Sequence, residues 1–240
     1  MAPLLEIACF NPDSAIAAIA SGAHRIELCD DADLGGTTPS VAWLLRIRSE
    51  VNNGRQKLHP EEIAIPINVM VRPRGGDFVY TRAEYETMKE TIATLKGTGI
   101  VDGFVFGILR EDGTVDVEKT RELVTLASPL PCTFHRAFDE VKDLSRALEG
   151  VVSCGITTIL TSGGAANAVQ GAEVLHQLVQ RAAGRVTIMP GGGVRSANLA
   201  LLHETIGSSA YHSSALIDSQ PVANANEIQL MMDILRPATG

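Results

Sequence analysis

Short apolar runs recur along the chain. Each is followed by a loop of glycine or polar residues, and then by a segment in which apolar positions return every three to four residues. A brief buried strand alternating with an amphipathic helix is the pattern of repeated βα units. It predicts strands over Leu4–Cys9, Arg25–Cys29, Ile65–Arg72, Gly103–Leu109, Cys132–Arg136, Thr158–Thr161, Val186–Met189 and Ala210–Ser213. Helices are predicted over Pro12–Ser21, Ser40–Val51, Arg82–Lys96, Val117–Ala127, Leu144–Ser153, Ala168–Ala183, Ala197–Thr205 and Asn224–Leu235. Eight of each in 240 residues, with no proline- or serine-rich linker between them, predict an α/β fold: a single-domain TIM (β/α)8 barrel over residues 1–240. A doubly wound open sheet also alternates β and α, but the first βα turn, "CFNPDSA", lacks the GxGxxG fingerprint. The polar stretch Asn52–Glu62 is expected to be an irregular surface insertion.

In a barrel strand, alternate side chains face the lumen and the surrounding helices. In strand three, β-branched Ile67, Val69 and Val71 suit the helix side, which sends Asn68, Met70 and Arg72 inward. The same parity sends Glu6 and Ala8, Arg25, Glu27 and Cys29, and Thr133 and His135 inward from strands one, two and five. Barrel lumens are ordinarily filled by branched apolar side chains, so Glu6, Arg25, Glu27, Asn68, Arg72 and His135 require an explanation. Two remain open. Arg25, Glu6 and Glu27 can form a structural ion-pair network near the barrel floor. Glu27, Arg72 and His135 lie nearer the C-terminal strand ends, where barrel enzymes carry their chemistry.

Arg72, Arg74 and Asp77 end strand three, and Gly75–Gly76 lets the loop turn sharply there. Two guanidinium groups beside a pocket point to an anionic ligand. The turns after later strands agree: Gly191, Gly192 and Gly193 in "MPGGGV", Ser162 and Gly163 in "TSGG", and His212 and Ser213 in "YHSSA". Glycine amides after strand seven and a polar loop after strand eight are the usual phosphate cradle of this fold. Ser196 is a candidate N-cap for the following helix, and parity leaves the direction of His212 open. Asp139, four residues after His135, is placed to orient it or Arg136, whereas His24, His59, His176 and His203 are expected at the surface.

The balance of 20 Lys and Arg against 28 Asp and Glu gives a net charge of −8, without a basic run interleaved with aromatics, so nucleic-acid binding is not expected. No basic leader precedes an apolar run, and no stretch reaches the roughly 18 apolar residues of a membrane span; a cytoplasmic protein is expected. Four cysteines without CxxC spacing suggest reduced thiols.

The motifs "GAHRIELC", "GGTTPS", "RPRGGDFVY", "TFHRAFD", "LTSGG", "MPGGGV" and "HSSA", in that order, resemble those of the CutC family, described as copper homeostasis proteins. The resemblance spans nearly the whole chain. It implies a TIM-like barrel, a cytoplasmic homodimer or higher oligomer, and copper(I) bound by two cysteines. One of those cysteine positions is Ala8 here, with Cys9 one residue later; Cys29 matches the other. Parity puts Cys9 and Cys29 on opposite faces of the wall, leaving Met70 as a second inward soft donor. The matching polar residues also suit a lyase or isomerase acting on a small phosphorylated or carboxylated metabolite. Arg72 and Arg74 would clamp charge, Glu27 or His135 would move a proton with Asp139 beside them, and the Gly191–Gly193 amides would hold a phosphate. No inward lysine is expected at a strand end, which disfavours Schiff-base chemistry. Leu216–Ala223 is shorter than the corresponding segment of many family members, so a more open mouth or a covering neighbour subunit is expected.

Overall fold

The computed structural model describes residues 2–58, 65–218 and 220–236. In chain order the elements are β1 (Leu4–Cys9), α1 (Pro12–Ala20), β2 (Arg25–Leu28), α2 (Val41–Leu58), β3 (Ile67–Met70), α3 (Arg82–Thr98), β4 (Gly103–Phe106) and α4 (Val117–Ala127). They continue with β5 (Cys132–Phe134), α5 (Leu144–Ser153), β6 (Thr158–Thr161), α6 (Ala172–Ala182), β7 (Thr187–Pro190), α7 (Ser196–Ile206), β8 (Ala210–Ser213) and α8 (Ala225–Leu235). All strand pairs are parallel, in the order β7-β6-β5-β4-β3-β2-β1-β8. β7 and β8 then lie side by side, and the Ser208 hydroxyl donates to the Ile188 carbonyl across that seam. The result is a nearly closed (β/α)8 barrel, as the alternating pattern predicts.

Strand parity decides what fills each layer. Leu5, Ile7, Ile26, Leu28, Ile67, Val69, Phe104 and Phe134 are fully buried in the layer between barrel and helices. Burying such a side chain contributes roughly 1.5–3 kcal/mol, which fixes each strand against a one-residue slip that would turn its polar set outward. Register then aligns the inward polar residues: Glu6 stands opposite both Arg25 and His212, and Glu27 opposite Asn68.

Several boundaries differ from expectation: β3 spans only Ile67–Met70 of the expected Ile65–Arg72, and β4 ends at Phe106 rather than Leu109. Helix α2 runs on through Asn52–Leu58, because Arg, Gln, Lys and Leu are good helix formers that outweigh the single Gly54. The rest of the expected insertion, residues 59–62 with His59, lies outside the described residues. β5 stops at Phe134 because Arg136–Glu140 winds into a 3-10 turn with His135 as its N-cap. α6 begins at Ala172 rather than Ala168, whose amide instead donates to the Gly192 carbonyl and ties this loop to the one after β7. Among the described residues, no helix is long and apolar enough to cross a membrane.

Candidate functional site

The lumen holds a four-membered charge cluster. Glu6 accepts from Arg25 Nε at 2.5 Å, from Asn68 Nδ2 at 3.4 Å, and pairs with His212 Nδ1 at 2.9 Å. The other ring nitrogen of His212 lies 3.7 Å from Glu27 Oε2. Burial works against the Glu6 carboxylate, but Arg25 and His212 outweigh it and hold Glu6 below the ordinary carboxylate range. Burial likewise works against a charged His212, and here the carboxylates of Glu27 and Glu6 prevail and raise it. Glu27 has less compensation: burial, with Glu6 nearby, pushes its carboxyl up to about 7. Glu6 and Arg25 thus form the floor, and His212, whose direction parity left open, faces inward and joins that floor to Glu27.

Above the floor, at the C-terminal ends of the strands, a cavity of about 240 Å³ is lined by residues including Glu27, Arg72, His135, Arg195, His212 and the Gly192–Gly193 turn. Among the described residues five buried side-chain polar atoms lack a hydrogen-bond partner, and three of them, Glu27 Oε1, Arg72 Nε and His135 Nε2, belong to this lining. Leaving such an atom unpaired costs about 1–3 kcal/mol, so their concentration in one cavity marks a place built for something else to complete.

His135 is a donor here, not a base. The Ala137 amide donates to its Nδ1 at 3.2 Å, which places the hydrogen of the neutral ring on Nε2. Burial and the Arg72 charge push its pKa down to about 3, so the ring is neutral across the physiological range. The ring packs against Phe78 at 4.8 Å, and Gly107 makes room for it, since a Cβ there would stand 2.6 Å from Nδ1. Arg72 is partly committed to the scaffold: its terminal nitrogens donate to the carbonyls of Leu34, Gly36 and Gly76, tying the loops after β2 and β3 together and leaving only Nε unpaired.

Several expected anion contacts are placed elsewhere. Arg74 does not line the cavity; it pairs with Asp77 at 2.9 Å and Glu84 at 2.6 Å on the outer side of its loop, so neither Arg74 nor Asp77 is presented to a ligand at the mouth. The cradle at Ser162–Gly164 is filled from within. Asp139 accepts from the amides of Ser162 and Gly164 and from the hydroxyls of Thr161 and Ser162, and the Gly163 amide donates to Thr161 Oγ1. Asp139 therefore holds this loop and Arg136, to whose Nε it lies at 2.9 Å, and no bond joins it to His135. The Gly191 amide is spent on the Thr161 carbonyl, while among the described residues the Gly192 and Gly193 amides have no acceptor. Both take positive φ, +85° and +76°, which glycine tolerates without strain. Ser196 is the first residue of α7 rather than its cap, and its amide and hydroxyl donate to Glu227. Ser213 donates to the Val194 carbonyl at the cavity edge. Two histidines expected at the surface are half-buried: His203 contacts the Tyr211 hydroxyl and His176 the Ile206 carbonyl.

Two arginines of the site are absent from the anion contacts expected from the sequence, where Arg136 enters only as an alternative partner of Asp139, the pairing that is found. Arg195 reaches the hydroxyls of Ser213 and Ser214 at 3.1 and 3.2 Å and the Leu216 carbonyl, and among the described residues it has no carboxylate partner. Arg136 packs its guanidinium beside Gly192 and donates to Ser162 Oγ at 3.0 Å. Each directly follows a strand-end motif, "TFH" or "GGGV", that the sequence already marks.

The donors available do not fit a two-thiolate copper(I) centre. Cys29 packs with Met70, Val105 and Phe10, whereas Cys9 lies in the layer beneath the helices, its thiol turned to the Ile7 carbonyl at 3.4 Å. Burial, reinforced by Glu27, pushes the Cys29 thiol well above its ordinary value, against the thiolate a soft ion requires. Among the described residues no group of three or more His, Cys, Asp or Glu is arranged to hold a metal ion.

The CutC family profile matches residues 3–217. A mouse protein named copper homeostasis protein cutC homolog is 43% identical over 212 residues, covering 88% of this chain and 73% of its own. A CutC family protein of Chromobacterium violaceum is 42% identical over 215 residues, covering 90% and 82%. In three dimensions the chain is similar to the putative copper homeostasis protein CutC from Streptococcus agalactiae, with a TM-score of 0.76, 31% identity and coverage of 88% and 98%.

Proposed function

This chain belongs to the CutC family, and from that premise we propose that it serves copper homeostasis through a small anionic ligand bound at the mouth of the barrel. The observation that carries this reading is that, among the described residues, three lining residues of one cavity carry unpaired buried polar atoms, beside two glycine amides without an acceptor and an arginine without a carboxylate partner. The amides of Gly192 and Gly193 with Arg195 suit a phosphate or carboxylate, and His135 Nε2 and Arg72 Nε supply two further donors deeper in. Arg136 adds positive charge at the rim. Calorimetric titration with inorganic phosphate tests the reading. Binding weakened at least about tenfold in Arg195→Gln, the loss of one charge-assisted contact, supports it, and affinity equal in both proteins contradicts it.

One observation favours a second reading. Cys29 and Met70 pack in one buried cluster at the β2 and β3 ends, which would offer copper(I) a thiol and a thioether. Anaerobic competition against a copper(I) chelator separates the two. Tight binding abolished by Cys29→Ser and unaffected by Cys9→Ser favours this site, and equal behaviour of wild type and Cys29→Ser rules it out.

A further inference from the structure

Resting on the anion-site reading above, we propose that the mouth is a proton-transfer site for a small carbonyl compound carrying a phosphate or carboxylate, with Glu27 as the base and His135 as the donor to the carbonyl oxygen. Both residues line one cavity, and each carries an unpaired buried atom of complementary kind, an acceptor oxygen on Glu27 and an N–H on His135. Each is held in its role by a neighbour. The second oxygen of Glu27 faces His212, which leaves Oε1 as the unpaired one, and the Ala137 amide fixes the His135 hydrogen on Nε2.

The rest of the lining suits such a molecule. Ala8, Met70, Phe78 and Leu160 form apolar walls against a short carbon skeleton, where water is displaced and a hydrogen bond to a developing negative charge is strengthened. The anionic tail is received at Gly192, Gly193 and Arg195. Among the described residues no lysine lines the cavity, so the carbonyl is activated by hydrogen bonding rather than as an imine.

The step balances without a further reactant. The C–H bond next to the carbonyl breaks, its proton passes to Glu27 Oε1, and its electron pair becomes the new C=C bond. The carbonyl π pair moves onto the oxygen, which the His135 N–H holds. Return of the proton from Glu27 to carbon regenerates a carbonyl compound. A carboxyl whose pKa is raised by burial to near neutrality and a histidine kept neutral are the states this chemistry needs at physiological pH.

The test is exchange of carbon-bound hydrogen in D2O, followed by proton NMR, with dihydroxyacetone phosphate, ribose 5-phosphate and pyruvate as probes. Exchange with at least one probe above the protein-free rate is expected, falling about 10²-fold or more in Glu27→Gln and in His135→Gln. Glu27→Asp, which keeps the acid and withdraws it by one methylene, should retain part of the exchange; it keeps the test valid if an amide variant folds poorly. Inorganic phosphate affinity is measured alongside. Phosphate binding without exchange of any probe overturns the proton transfer and leaves the anion site standing. Absence of both overturns the reading beneath it as well. Exchange that persists in Glu27→Gln removes Glu27 from the role.

Discussion

Replacing Glu27 by glutamine should stabilise the protein, and increasingly so as pH rises. The Glu27 side chain is buried among Glu6, His212 and the Cys29 thiol, and its folded carboxyl titrates at about 7 against an ordinary value of 4.5. A carboxyl raised on folding contributes its full stability only below the unfolded value, here about 4.5, and loses it as pH climbs through the folded value. By pH 8.5 both folded and unfolded chains carry the charge, and the gap amounts to a penalty on the order of 3 kcal/mol. At pH 5.5 the folded group is still largely protonated and the penalty is about 1 kcal/mol. An uncharged amide of the same shape does not titrate. Urea unfolding followed by the fluorescence of Trp43 and by circular dichroism should therefore show Glu27→Gln more stable than wild type by about 1 kcal/mol at pH 5.5 and about 3 kcal/mol at pH 8.5. A variant no more stable at pH 8.5, or an advantage that does not change with pH, refutes the electrostatic account of the cluster. Stabilisation at the cost of function is the signature of a residue retained for its chemistry.

Gly107→Ala should drive a methyl into the His135 ring, costing about 1–3 kcal/mol of stability by denaturant unfolding and displacing the Nε2 donor, so that phosphate affinity falls as well. Wild-type affinity in that variant would show that His135 is not part of the ligand site. Asp139→Ala leaves the Ser162 and Gly164 amides without their acceptor and should lower stability by about 2–4 kcal/mol; a loss below about 0.5 kcal/mol would show the internal cradle to be dispensable. The His135 ring, held near 3, should show no imidazole titration by NMR between pH 5 and 8, while a midpoint in that window would contradict its burial as a neutral donor.

What could be read from the chain follows from the range of the interactions involved. The strands and the inward set Glu6, Arg25, Glu27, Asn68 and His135 were legible because alternation with a period of two is local, and burial enforces it. β8 gave no such signal, since Tyr211 and His212 both have polar tips; only its pairing with His203 shows that Tyr211 takes the helix side and sends His212 inward. The fate of Ser162–Gly164 was hidden because its anion is Asp139, more than twenty residues upstream on another βα unit. Arg74 was misread for a related reason: the capping glutamate of α3, Glu84, lies ten residues on and claims it. Arg136 and Arg195 were within reach, since a cation directly after a strand-end motif in a barrel stands at the mouth. A helix was missed at Asn52–Leu58 because two asparagines and a glycine read as a break, while neighbouring residues carry the helix through.

The most direct test of the mouth as an anion site is a titration with inorganic phosphate followed by amide chemical shifts in the ¹⁵N-labelled protein. The Gly192 and Gly193 amides, free of acceptors among the described residues, should move together and saturate, while those of Ser162 and Gly164, already held by Asp139, should stay still. Saturable shifts confined to other amides, or no saturable shift at Gly192 and Gly193, would contradict it.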